Sequence, residues 1–273
     1  MRVLIDGRPV SEGDATISVF DWALIRGFGV FEVIRVYGHA TFRLDSHLDR
    51  LERSAAALGV AAPNRDRIGE WIRQLAEANE HGQVRVILTG GGRDLLVESP
   101  PLAIVIWEPT PEMPDSLRLI PVAAPWHPAT DVGGFAGVKW TSYAPNMAAT
   151  DKARRAGFDE ALLMAVDGVV LEGPTFTVAW VHEGRIETPS LECGILPSIT
   201  RDVMVECAER LDIPVSHGHF PLERMLAADE AFALSTVKQV SPIQRIADTE
   251  IPLGPVTRKL ADCFREIVQE ETG

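Results

Sequence analysis

Apolar and polar positions change period several times along the chain, and each change marks an element. The amino-terminal MRVLIDGRPV alternates and ends in a turn. ISVFDWALIRGFGVFEVIRVYGHATFRL alternates again with Gly38 as a turn, so this part predicts a hairpin-rich antiparallel sheet. From Asp45 to Gly59 the spacing becomes helical: Leu48, Leu51, Ala55 and Leu58 line one face, and Gly59 suits a stop. Arg50 lies one position off that stripe, where periodicity alone reads it as solvated. A second helix, roughly Arg65 to Glu80, carries Ile68, Trp71, Ile72 and Leu75. QVRVILTGGGRD then reads as a strand running into three glycines and Arg93.

LAIVIWEPTPEMPDSLRLIPVAAP is a strand, a break and another strand. Pro109, Pro111 and Pro114 cannot continue a ladder, so a domain boundary is expected between Glu108 and Ser116. That division gives a first domain over 1–110, a linker over 111–116 and a second, larger domain over 117–273. The second half predicts a helix near Asn146 to Ala156 and strands in DEALLMAVDGVVLEG and FTVAWVHEGRIETP. Helices from Ile199 to Leu211 and near Leu222 to Ala227 follow, then the strand AFALSTV and an amphipathic helix from about Val256. The whole reads as an α+β protein in two parts.

A chain of 273 residues is long enough for two modest cores. Its formal charge of −13 removes any long-range attraction to nucleic acid or to an acidic membrane surface, so neither is expected as a partner. No run approaches membrane-spanning length. Cys193, Cys207 and Cys263 are an odd number at wide spacing without metal-ligand rhythm, which predicts free thiols and a cytoplasmic location. The seven histidines are scattered and His217 and His219 are the only close pair, so no metal site is expected.

The candidate chemistry centres on VKWTSYAPNM, which crowds Lys139 with Val138, Trp140 and Tyr143. An amine so placed is either a snorkelling side chain or a desolvated nucleophile, and the lysine alone does not decide. Other segments add to it. GILPSITRDV and ALSTVKQVSP place small hydroxyl residues at turns of the kind that hold a phosphate, LEGPTFTVAWV supplies Glu172, and HLDRL supplies Arg50. One amine, one carboxylate and a phosphate cradle are what a pyridoxal phosphate site requires.

DWALIRGFGVFEVIR, HLDRL, VKWTSYAPNM, DEALLMAVDGVVLEG, GILPSITRDV and LSTVKQVSP, in this order and spacing, resemble the class IV (fold type IV) pyridoxal-phosphate aminotransferases. That family includes D-amino-acid aminotransferase, branched-chain aminotransferase and aminodeoxychorismate lyase, and the resemblance runs nearly end to end. It implies a small N-terminal α/β domain, a larger C-terminal domain with a barrel-like sheet, an active site between them, and a homodimer. It also implies that Lys139 is the Schiff-base lysine and carries the substrate's α-proton, and that Glu172 faces the pyridine nitrogen. Arg50, Ile199, Thr200 and Thr236, with Ser235 adjacent, match the phosphate-binding positions. Ile199 and Thr200 would act through backbone N–H groups, since Ser198 stands at the N-cap. Phe31 matches an aromatic position of the pocket wall.

The chain departs from the family where Gly27-Phe28-Gly29 replaces Gly-Asp-Gly, where Ser198 replaces glycine and where Thr177 replaces asparagine. Neither the Arg-x-His carboxylate trap of D-amino-acid enzymes nor the Tyr-x-Arg-Pro-like strand of branched-chain enzymes is recognisable. Arg26, Arg93 and Arg35 are therefore the candidates to hold a substrate carboxylate. The activity implied is transamination between a small amino acid and a 2-oxo acid, with D-amino acids slightly favoured. The alternatives are a branched-chain L-amino-acid transaminase, an aminodeoxychorismate lyase and a cofactor-free binding protein of the same fold.

Overall fold

The computed structural model describes residues 2–92, 99–127 and 133–273. The chain forms two compact units, one comprising Met1–Pro111, Val138–Tyr143 and Val268–Gly273, the other Glu112–Gly137 and Ala144–Ile267.

The first unit is built on β1 (Val3–Ile5), β2 (Arg8–Val10), β3 (Gly29–Tyr37), β4 (Ala40–Thr41), β5 (Gly82–Thr89) and β6 (Ala103–Glu108), with helices α1 (Trp22–Arg26), α2 (Leu44–Leu58) and α3 (Arg65–Glu77). Its sheet runs β2-β1-β6-β5-β3-β4, with every pair antiparallel. Period-two alternation along β3 buries Val30, Glu32, Ile34 and Val36 on one face. The three apolar residues join Val84, Val86 and Leu88 of β5 in a core closed by Leu48, Leu51 and Ala55 of α2 and Ile68, Ile72 and Leu75 of α3. Gly59 stops α2 in the left-handed conformation (φ 64°), as its place after the apolar stripe predicts.

One expectation fails here. The alternation read through ISVFDWALIRGF is interrupted by α1. Asp21 caps it, accepting from the Ala23 N–H at 2.8 Å, and Gly27 closes it at φ 64°. Cap chemistry at both ends overrides a pattern that also fits a strand.

The second unit holds β7 (Leu117–Ala123), α4 (Ala144–Arg155), β8 (Glu160–Met164), β9 (Thr177–His182), β10 (Arg185–Pro189), α5 (Ile199–Arg210), β11 (Val215–Gly218), α6 (Leu222–Leu226), β12 (Glu230–Ser235), β13 (Gln239–Ile246) and β14 (Thr249–Glu250). A final helix, α7, spans Pro255–Thr272. The strands form a mixed sheet in the order β11-β10-β9-β12-β13-β7-β8, with β14 on β13; the β7–β8, β13–β7 and β10–β11 pairs are parallel. β12 is buried almost throughout and carries α5 against it.

Candidate active site

Lys139 lies in the first unit, on a short stretch added to the edge of β3. The Phe31 N–H donates to the Lys139 carbonyl (3.0 Å), the Thr141 N–H to the Gly29 carbonyl (2.9 Å), and Val30 bridges Trp140. The Lys139 N–H donates to the buried Ser54 Oγ at 3.1 Å, which ties the same residue to α2. Gly27 and Gly29 allow this close approach: a Cβ at Gly27 would stand 2.6 Å from Ser142 Oγ, and one at Gly29 3.2 Å from Thr141 Oγ1. The lysine side chain is half-buried, with Nζ 4.5 Å from the Phe31 ring centroid and 5.9 Å from that of Tyr143. The two rings meet edge to face at 5.2 Å, so the amine rests against an aromatic wall.

Arg50 is buried, at 4% exposure, which corrects the solvated reading that periodicity suggests. Its partner is Glu32 on the core face of β3. Arg50 Nε donates to Glu32 Oε1 at 2.6 Å and its NH2 donates to Oε2 at 2.8 Å, while His47 Nδ1 lies 2.8 Å from Oε2. Burial alone would raise the Glu32 pKa, but the charge and hydrogen bonds of Arg50, helped by His47, hold it far below the usual carboxylate range. Burial lowers the pKa of His47, and Glu32 offsets this only in part.

The second unit carries the carboxylate and an anion cradle. Glu172 is pinned by its backbone to β8, the Leu163 N–H donating to its carbonyl at 2.8 Å. Its carboxylate meets His127 Nε2 at 3.0 Å from Oε1, and the Leu196 N–H lies 3.3 Å from both oxygens. Ser198 caps α5, its Oγ accepting from the Arg201 N–H at 3.2 Å. The N–H groups of Ile199 and Thr200, both buried, have no acceptor inside the helix. Ser235 ends β12 and its Oγ accepts from the Lys238 N–H at 3.0 Å, shaping the turn that holds Thr236. Lys238 itself is a buried amine, 5.1 Å from the Phe176 ring centroid and 3.8 Å from Glu160 Oε1. Burial lowers its pKa against the pull of Glu160.

Residues 29–246 match the profile of amino-transferase class IV. The chain belongs to the class IV aminotransferases. It is 33% identical to a putative branched-chain-amino-acid aminotransferase of Methanocaldococcus jannaschii, over 98% of this chain and 96% of that one. It is 31% identical to the aminodeoxychorismate lyase of Bacillus subtilis, over 90% and 87%. Among solved structures, the branched-chain aminotransferase of Thermoproteus uzoniensis with norvaline superposes at a TM-score of 0.90 and 30% identity, over 99% of this chain and 95% of that one. The two-domain α+β fold implied by the sequence motifs is thus that of fold type IV enzymes, and class IV aminotransferases depend on pyridoxal phosphate.

The donor set fits that cofactor. Two buried helix N–H groups beside hydroxyl residues suit a phosphate, and a carboxylate with one lightly used oxygen suits a protonated ring nitrogen. Arg26 is exposed on α1, stacked 5.5 Å from the Trp22 ring centroid. Arg93 lies outside the described residues. Arg35 stacks at 5.3 Å on Tyr37, with Nε and one terminal nitrogen buried and unpaired.

Sequence reasoning missed Glu32, His47 and His127, whose partners are 15 to 45 residues away on other elements. Tyr143 stands inside the lysine motif, where it was read as crowding alone. Among the described residues, no group of three or more His, Cys, Asp or Glu side chains is placed to hold a metal, and no helix is long and apolar enough to cross a membrane.

Proposed function

We propose that this chain transfers an amino group between an aliphatic amino acid of the branched-chain type and a 2-oxo acid. The observation that carries this is the aromatic pair Phe31 and Tyr143 against which the Lys139 amine rests, an apolar wall suited to a hydrocarbon side chain. The branched-chain names of the M. jannaschii relative and the T. uzoniensis structure support the same substrate class. It takes the place of the D-amino-acid preference that motif spacing slightly favoured.

In this proposal Lys139 Nζ would hold the cofactor, and the same amine would accept the substrate's α-proton and return it to complete the proton shift. The cofactor, when bound, supplies the electron sink for that step. Glu172 would accept the hydrogen bond of the ring nitrogen. The Ile199 and Thr200 N–H groups, Thr236 and the adjacent Ser235 would hold the phosphate, and Arg50, its guanidinium fixed by Glu32, would add charge. Phe31 and Tyr143 keep water from the amine. Arg26 and Arg93 are the proposed carboxylate contacts.

Val19, Phe20, Leu24 and Ile25 are exposed apolar residues clustered around Asp21 in the sequence, and we propose that a second copy of the chain covers them in a homodimer. A cytoplasmic location is proposed on the three free, buried thiols.

The test is a set of half-reactions followed by cofactor absorbance. L-leucine, L-valine, D-alanine, an (R)-amine and aminodeoxychorismate are each mixed with the loaded enzyme. Conversion fastest with L-leucine or L-valine is expected. Faster conversion with D-alanine, or pyruvate released from aminodeoxychorismate without amine transfer, overturns the substrate assignment.

A further inference from the structure

We propose that His127 is the positioning residue for Glu172, an assignment that rests on Glu172 serving the ring nitrogen. Nothing in the sequence around His127, PWHP, marks it for this role, and the two residues are separated by 45 positions. The structure brings them together. His127 Nε2 lies 3.0 Å from Glu172 Oε1, with the two side chains 8% and 15% exposed, so little water competes for the contact.

An ionised carboxylate can only accept, so the contact requires the proton on Nε2 of the imidazole. The carboxylate's other contact is the Leu196 N–H, which is shared between both oxygens at the longer distance of 3.3 Å. A shared, long contact restrains where the carboxylate sits but not which oxygen turns outward. The imidazole breaks that symmetry by engaging Oε1 alone, leaving Oε2 the less encumbered acceptor. The imidazole's Nδ1 is shielded from solvent without a partner, so the contact to Glu172 is the hydrogen bond that orients the ring. Glu172 is thereby presented in one orientation before any ligand arrives, which is the condition for a strong charge-assisted contact.

The experiment compares the wild type with His127→Leu, His127→Asn and His127→Gln. Gln places an N–H donor within reach of Oε1, Asn is too short, and Leu keeps volume without a donor. Two readouts are taken: pyridoxal phosphate affinity of the apoprotein by quenching of tryptophan fluorescence, and the half-reaction with L-leucine resolved into its maximal rate and half-saturation. A hydrogen bond to a charged group predicts roughly tenfold weaker cofactor binding in the Leu and Asn variants. Their maximal rate falls about tenfold or more while half-saturation holds, and His127→Gln stays within about threefold of wild type.

Equal losses in the Gln and Leu variants, or none in either, overturn the proposal. Asn stands in if Leu does not fold. Glu172→Gln separates the levels. If it leaves both readouts unchanged, the ring-nitrogen role of Glu172 is wrong and the His127 assignment falls with it. If it cripples both while His127→Leu matches wild type, only the His127 assignment fails.

Discussion

The polar groups of the two units are organised in opposite ways. In the first, a carboxylate, an imidazole and a guanidinium are buried together and satisfy one another: Glu32 takes both Arg50 and His47 within 2.8 Å. In the second, α5 presents buried N–H groups at Ile199 and Thr200 that its own geometry cannot satisfy, beside a carboxylate whose second oxygen is lightly engaged. Both arrangements carry a cost in isolation. The closed triad ties β3 to α2, the two elements that hold the lysine stretch, whereas the open donors suit an anion. Removing Glu32 or His47 should therefore register first in stability, and removing a group of the cradle, to which Arg50 is also assigned, first in ligand binding.

The largest effect is expected at the residue that belongs to neither pattern. Lys139→Ala should abolish the cofactor's absorption band and slow amine transfer by about 10⁴-fold, since both anchor and proton carrier are lost. Thermal melting of the apoprotein should move little, because the Lys139 backbone contacts to Ser54 and Phe31 survive. Retention of transfer in this variant removes the central role of Lys139. Next comes Glu32→Ala. It leaves Arg50 buried without its carboxylate, and such a loss costs about 3–5 kcal/mol. Denaturant unfolding of the apoprotein measures it, and a shift under about 1 kcal/mol would mean that the triad relaxes into water.

The same contrast explains what the sequence could reveal. The phase of α2, its stop at Gly59 and the cap at Ser198 are local, set by residues within a few positions, and each was legible. Arg50 was legible as a cofactor-binding candidate. Its burial was not, because the residue that makes burial tolerable stands 18 positions earlier on a strand. Glu32 in turn is a polar residue in an alternating strand, and only the helix packed above shows that it faces inward. His127 gave no periodic or motif signal at all. α1 failed for the opposite reason: its local cap signals were present at Asp21 and Gly27, but a competing alternation masked them.

A smaller effect tests the open half. Ser198→Ala removes the side-chain acceptor for the Arg201 N–H and should cost about 1 kcal/mol in stability. Cofactor affinity should fall as well, since the cap fixes the direction of the neighbouring Ile199 and Thr200 N–H groups. A stability loss with unchanged affinity would place the anion elsewhere.

The smallest expected effect concerns the closed half and is read by pH. Burial depresses the folded-state pKa of His47 below 6.5, so as pH falls through that value the unfolded chain takes up a proton that the folded chain does not. Stability therefore falls as the solution is acidified, by roughly 0.7 kcal/mol between pH 7 and pH 6 from this group if the folded chain stays unprotonated there. Glu32 acts in the same sense at lower pH. Its folded pKa is depressed, so its contribution is present above the unfolded value near 4.5 and drains away as pH drops below it. His47→Gln keeps a donor for Glu32 but cannot titrate, and it should flatten the upper part of the profile while leaving the fall below pH 4.5. If both proteins lose stability in parallel from pH 7 to pH 6, the proton is being taken up elsewhere and the triad is not the acid-sensitive part of the first unit.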